Sequence, residues 1–311
     1  PRYQRFMQSD QRVAWIPRDS TVSHRIEAGV NEGRLSLFAV LDTETMTRLA
    51  AEPGKSSSSG FDALSTMFLI ILIVSAFIAR ANMRQGRADV RSAIRLGVFM
   101  ASLTMISSML VSHSLINEQA TARGIFTGVL SAAIYLAVEP YVRRSWPTML
   151  VSWSRLMGRT ASGARDPVVG RAVLAGVLMG GSVLLVWDFG LVAFQAREGI
   201  PIAIDLRWIP GLLGQREIWS LTVERVTWGV IEGLSLTFLM VLSRLLLRRP
   251  VPSAVLAATL WLLPDIVALL AERGDPAELI FQTLILLTII TLMMLVLFRW
   301  GLVGVIVMNV T

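Results

Sequence analysis

Four ionisable side chains lie inside stretches of the chain that are otherwise apolar: His113, Asp188, Glu232 and Asp265. A charge at membrane depth costs a few kcal/mol and is usually paired or functional. All four fall in the same half of their stretches, so the sequence allows one shared intramembrane polar site. The alternative is that each acid pairs with an arginine of a nearby loop or is protonated between helices.

Several kinds of catalytic and metal chemistry are excluded. The chain has no Cys and two His, so it offers no thiolate, and we expect no metal site and no cofactor. Asp188-Phe-Gly190 matches the magnesium tripeptide of kinases, but every other kinase motif is absent. Gly54-Lys-Ser56 lacks the earlier glycine of a phosphate-binding loop. We therefore assign no catalytic residue to this chain.

A basic, tryptophan-containing segment, residues 143–171, is the second candidate site. Its pattern is typical of a helix that lies in the membrane interface. The residues concerned are Arg143, Arg144, Trp146, Trp153, Arg155, Arg159, Arg165 and Arg171. Such a surface can dock anionic lipid or a cytoplasmic partner, or it can simply fix the topology.

The elements that position these residues are predicted to be membrane-spanning helices. The mean hydropathy is +0.61 and 54% of residues are hydrophobic, which is too apolar for a soluble domain of 311 residues. Seven stretches have about the ~20 residues needed to cross a bilayer. They are residues 61–79, 94–115, 124–142, 172–194, 226–247, 253–271 and 277–298. Residues 301–311 are either an eighth helix cut short or an apolar tail.

The fold class is therefore predicted as all-α and polytopic, with seven transmembrane helices, or eight, in one bundle over residues 61–311. Residues 1–60 form a separate, polar segment. Within it, residues 25–41 alternate between polar and apolar side chains around a turn, which predicts a β-hairpin. Residues 52–60 are a Ser-rich linker.

Arginines set the expected orientation. The net charge of +7 is almost entirely due to Arg, because Lys55 is the one lysine. The arginines concentrate in the connectors at 80–95, 143–171 and 248–249, which are alternate connectors and so share one face. Positive charge marks the cytoplasmic face, so we expect a bacterial inner-membrane protein with an extracytoplasmic N-terminal segment, and no nucleic-acid partner. An upstream transmembrane helix would explain its export.

Three pairs of glycines four residues apart lie in the middle spans: Gly124 and Gly128, Gly176 and Gly180, and Gly229 and Gly233. Small residues at this spacing let helix backbones approach closely in lipid. Together they predict a compact bundle of the third, fourth and fifth helices.

Several of these segments resemble the membrane-embedded C-terminal region of serine/threonine protein kinases of Acidobacteria and related bacteria. The likeness lies in Ala137-Val-Glu-Pro-Tyr-Val-Arg-Arg-Ser-Trp-Pro147 and in residues 152–156, 165–171, 79–89, 10–15 and 25–28. In that family a cytoplasmic kinase domain precedes the membrane part. The resemblance implies a membrane module of a receptor-like kinase, or a paralogue without a kinase domain, and it carries over no catalytic residue.

Three classes of function stay open at this point. The first is a non-catalytic sensing or docking module of a signalling protein, whose partners are a kinase domain and anionic lipid of the bilayer. The second is a structural or accessory subunit of a larger respiratory or photosynthetic membrane complex. The third is an intramembrane enzyme or a transporter, although no clear inverted repeat supports transport.

Overall fold

The computed structural model of the protein describes residues 11–15, 25–31, 34–41, 58–112, 118–146, 149, 152–153, 155, 166–198, 214–272 and 276–311. The chain divides into two compact units. One contains residues 1–59 and 205–218, and the other contains residues 60–204 and 219–311. His113, Arg159 and Arg165 lie outside the described residues.

The first unit contains a three-stranded antiparallel sheet in the order β1 (Gln11–Trp15), β2 (Arg25–Asn31) and β3 (Arg34–Leu41). Strands β2 and β3 form the hairpin that was predicted over residues 25–41, and their pairing closes at Asn31 and Arg34. Strand β1 was not predicted. It pairs along the other edge of β2, so that β2 is the central strand.

The second unit, in its described residues, is a bundle of seven helices that are long and apolar enough to cross a membrane, as the sequence predicts. They are α1 (Ser58–Arg84), α2 (Val90–Ser112), α3 (Glu118–Ser145), α4 (Pro167–Glu198), α5 (Gln215–Leu247), α6 (Pro250–Glu272) and α7 (Pro276–Val310). Most are longer than the predicted spans because polar residues at both ends continue the helix.

Helices α2 and α3 form a closely packed antiparallel pair at a glycine contact. A Cβ added to Gly128 would lie 2.6 Å from the carbonyl oxygen of Gly97, and one added to Gly97 would lie 2.9 Å from that of Gly128. Backbones approach this closely only where neither residue has a side chain.

Helix α7 reverses its direction at Gly301, which has φ +80° and ψ −168°. The position of a Cβ on Gly304 is only 3.0 Å from a methyl group of Val296. In a straight helix these residues would be roughly 12 Å apart along the axis. Residues 302–310, the C-terminal arm, therefore fold back beside the first part of α7. The arm is helical, so of the two predicted alternatives, an eighth helix cut short or an apolar tail, it matches the short helix.

The C-terminal arm packs between α4 and α5 and is mostly buried. Gly176 and Gly180 of α4 contact the backbone at Gly304 and Met308, and Gly229 of α5 contacts the carbonyl of Ile306. The predicted close contacts of the glycine pairs are present. Their partners differ from the prediction, because α3 packs on α2 while α4 and α5 pack on the arm. Sequence spacing identifies a helix face made of small residues but not the helix that packs against it.

Candidate functional site

A cavity of about 640 Å³ lies among α1, α2, α3 and α5. It is lined by Leu64, Ser65, Phe68, Leu69, Thr104, Ser107, Ser108, Ala120, Arg123, Phe126, Thr127, Leu130, Glu224, Thr227, Trp228 and Ile231. Its volume falls in the range of small-molecule sites, which is roughly 300–1,000 Å³. All four helices contribute to it near the same end of the bundle, the end at which α1, α3 and α5 begin and α2 finishes.

The polarity of the cavity wall changes with depth. On α3 the lining residues Arg123, Thr127 and Leu130 follow one another at helical spacing, and on α5 Glu224, Thr227 and Ile231 do the same. Each turn advances about 5.4 Å. Charged groups therefore lie at the rim, hydroxyls one turn deeper, and branched aliphatic side chains at the bottom. This order matches a ligand with a polar head and an apolar body.

Hydroxyl groups near the cavity are held by backbone carbonyls. Ser220 Oγ donates to Ser107 O at 3.2 Å, and Ser107 Oγ lies 3.3 Å from Ser220 O, which joins α2 to α5. Thr104 and Thr227 each donate to a carbonyl of their own helix, at 2.9 and 2.8 Å. A hydroxyl that donates its proton in this way keeps lone pairs for accepting. The threonines therefore present acceptors to a ligand.

Aromatic rings form one wall, and the cavity is open on one side. Phe68 and Trp228 pack with their ring centroids 6.0 Å apart at an interplanar angle of 41°. Leu69 on α1 and Phe126 on α3 are 50% and 42% exposed, respectively. Since these helices are membrane spans, the cavity opens between α1 and α3 toward the bilayer.

Arg123 and Glu224 supply opposite charges to the same cavity. Among the described residues, neither side chain forms an ion pair or a hydrogen bond. An arginine fork binds carboxylate or phosphate, and a carboxylate binds ammonium. The two groups together can bind a ligand that carries both charges.

The predicted polar site is brought together in part. Glu232 on α5 lies within electrostatic range of Asp265 on α6 and of Arg225. A contact between Ser253 Oγ and Ser243 O sets the register of α5 and α6. Counting from it, back along α5 and forward along α6, places the two acids level. Asp188 is exposed on α4 and belongs to neither interaction. Among the described residues, no group of three or more His, Asp or Glu can hold a metal ion.

Residues of the basic segment divide between the protein and its surface. Trp153 is buried, and Trp146 packs edge-on against Phe298 of α7 with ring centroids 6.5 Å apart. Arg143 binds Glu139 at 2.7 Å, while Arg144 and Arg171 are exposed. The two described tryptophans thus pack on the protein, whereas Arg144 and Arg171 stay available to headgroups.

Arg155, in the middle of this segment, forms an ion pair with Asp166, which lies near the end of the segment. Asp166 also accepts a hydrogen bond from Val168 N at 2.8 Å. That backbone bond, followed by the Arg155 contact, holds the pKa of the Asp166 carboxyl below its usual range. Asp166 therefore stays ionised at neutral pH, and as the residue before Pro167 it orders the start of α4.

Most cavity residues were not selected from the sequence. A usable signal was present, because Arg123 and Thr127, and Glu224 and Thr227, are polar residues at i, i+3 or i+4 in otherwise apolar spans. Each pair alone is ordinary. Only the packing of α1, α2, α3 and α5 shows that these stripes face one space.

No protein-family model, curated protein or solved structure matches this chain. The class of protein therefore comes from the fold. Seven helices in the part of the chain that the structure describes are long and apolar enough to cross a membrane, which defines an all-α polytopic membrane protein. The likeness to kinase membrane regions stays a prediction, as does the alternative of an accessory subunit.

Proposed function

We propose that this chain is the non-catalytic, ligand-sensing membrane module of a receptor-like signalling protein in the bacterial inner membrane. The cavity among α1, α2, α3 and α5 is the observation that carries the proposal. The arginine distribution supports an extracytoplasmic position for the cavity and a cytoplasmic position for the basic segment. The sequence resemblance suggests a kinase domain as the output.

The cavity has a continuous structural route to the basic segment. Its helices α1 and α3 are joined at their far ends, where Asn82 donates to the carbonyls of Leu136 and Ala137. Helix α3 leads into the basic segment, whose Met149 carbonyl lies against Gly301 at the reversal of α7. A ligand that favours one separation of α1 and α3 would therefore shift the segment that faces the cytoplasm.

A reporter kinase joined ahead of residue 1 through an added transmembrane helix, which keeps the kinase in the cytoplasm, tests this function. Thr127→Phe fills the cavity, and Thr288→Phe places the same ring on a residue of α7 that is exposed to lipid. We expect Thr127→Phe to lock kinase output at one level across growth conditions, while Thr288→Phe behaves as the parent chain.

Neutralising Glu232 and Asp265 in the same reporter separates the cavity from the acid pair. Output that responds normally in Thr127→Phe, in a protein that melts like the parent, would rule out sensing through the cavity. A response lost only in Glu232→Gln or Asp265→Asn would move the sensing site to the acid pair.

A further inference from the structure

We infer that the cavity binds an amphiphile whose head carries a primary ammonium group beside an anionic group, as an aminophospholipid does. The inference deepens the proposed function, because it assigns a ligand class to the same cavity. It is argued from the charges, the acceptors and the opening of the cavity.

The charges select a head with both signs. Arg123 and Glu224 line one rim and form no ion pair with each other or with any other described residue. An anion alone would leave Glu224 without a counter-charge, and a cation alone would do the same to Arg123. A ligand that carries charge of only one sign leaves one of the two cavity charges unmatched, and this lowers its affinity. A zwitterionic head matches both.

The acceptors select a primary ammonium. Thr227, one turn below the rim on α5, has donated its proton to Val223 O, and Thr104 on α2 has donated to Met100 O. Both hydroxyls can therefore accept from a ligand N–H, as can Glu224. A primary ammonium offers three such donors, whereas a quaternary ammonium offers none. The face of Trp228 adds a cation–π attraction that either kind of head can use.

The opening selects a molecule with apolar chains. The bottom of the cavity is apolar at Leu130 and Ile231, and the open side lies between the half-exposed Leu69 and Phe126. A head bound at the rim would leave its acyl chains against these side chains and in the surrounding bilayer. A small water-soluble zwitterion would leave this apolar surface uncovered.

Native mass spectrometry of the delipidated full chain tests the inference. Phosphatidylethanolamine, phosphatidylcholine and phosphatidylglycerol with identical acyl chains serve as probes. We expect phosphatidylethanolamine to bind roughly tenfold more tightly than either, which corresponds to about 1.4 kcal/mol. Glu224→Gln and Arg123→Gln should each abolish the preference, whereas Glu118→Gln on α3 and Arg84→Gln on α1, both exposed and outside the cavity, should keep it.

Three results would overturn the inference. If phosphatidylcholine binds as tightly as phosphatidylethanolamine, the cavity does not recognise N–H donors. If phosphatidylglycerol binds as tightly, the cavity does not require a cationic group. Displacement of the lipid by soluble phosphoethanolamine at the same concentration would show that the apolar chains contribute nothing. Binding is measured without any signalling output. The lipid-binding experiment can therefore contradict the ligand class while the reporter experiment still supports sensing. It can equally support the ligand class while the reporter experiment contradicts sensing.

Discussion

At the scale of single residues, Pro140 explains a contact between α1 and α3. Proline has no backbone N–H, so the carbonyl of Leu136, four residues earlier, lacks its helical donor. Asn82 is buried on α1 and donates its side-chain amide to Leu136 O at 2.9 Å and to Ala137 O at 3.2 Å. A side chain of α1 thus supplies the hydrogen bond that the proline removes from the backbone of α3.

We expect Asn82→Ala to lower the free energy of unfolding by about 1–3 kcal/mol, because it leaves a buried carbonyl without a donor. Thermal unfolding followed by tryptophan fluorescence measures the effect. Pro140→Ala restores a backbone N–H for Leu136, so Asn82→Ala should cost clearly less in that background. Equal costs in both backgrounds would contradict the repair role of Asn82.

Asp89 precedes α2 and caps it. Its carboxylate accepts from Ser92 N at 3.1 Å and from Ser92 Oγ at 2.6 Å. These bonds to Ser92, the hydroxyl first, hold the pKa of Asp89 below its ordinary value of 3.8. A lowered pKa in the folded state means that the stabilisation is complete above pH 3.8 and is lost as pH falls through the lowered value.

Removing this cap with Asp89→Ala should cost about 1 kcal/mol at neutral pH. The difference in melting temperature from the parent should shrink as the pH drops below the ordinary pKa of Asp. Asp89→Asn is the control, since it caps without titrating, and its own melting curve should lack this acid-dependent part. A difference for Asp89→Ala that stays constant down to pH 3 would show that the carboxylate charge is irrelevant.

At the scale of secondary-structure elements, the reversal of α7 depends on one residue. The backbone of Gly301 has a conformation that residues with side chains rarely adopt, and a Cβ there would lie 2.5 Å from the carbonyl oxygen of Met149. Strain of this kind costs about 1–3 kcal/mol, before the clash is counted. The basic segment and the C-terminal arm therefore meet where no side chain fits.

Gly301→Ala should thus destabilise the bundle by more than about 2 kcal/mol and loosen the C-terminal arm. Gly181→Ala on α4 is the matched control, because its Cβ would meet nothing within 4 Å and alanine favours a helix. Melting temperature and protease sensitivity of the C-terminus measure both effects. If the two variants melt alike, the reversal does not require glycine.

At the scale of the whole molecule, the orientation rests on arginines of alternate connectors. The chain has no Cys, so single cysteines report sidedness without background. Arg87 follows α1 and Glu118 begins α3, and both side chains are exposed. They lie at opposite ends of the bundle because one span separates them.

In intact cells, a membrane-impermeant maleimide should label Glu118→Cys and should label Arg87→Cys only after permeabilisation. The physical reason is that basic connectors are retained in the cytoplasm. Inverted membrane vesicles should give the opposite pattern and serve as the control. Labelling of Arg87→Cys from outside would reverse the orientation, and with it the side on which the cavity receives its ligand.

The sequence by itself determined the class of the fold. Length and hydropathy set the seven spans, because a bilayer demands about 20 apolar residues and internally paired backbone groups. The alternation of polar and apolar residues over 25–41 was enough to predict the β-hairpin, since side chains along a strand alternate between its two faces. These are local properties of the chain.

Only the tertiary structure decided which surfaces meet. Residues 301–311 are apolar in any arrangement, but their return between α4 and α5 depends on glycines that lie about 70 and 125 residues earlier in the chain. The cavity likewise needs four helices to bring Arg123, Glu224 and the hydroxyls together. Helical periodicity defines the face on which a residue lies, whereas the partner of that face is set by shape complementarity between segments distant in sequence.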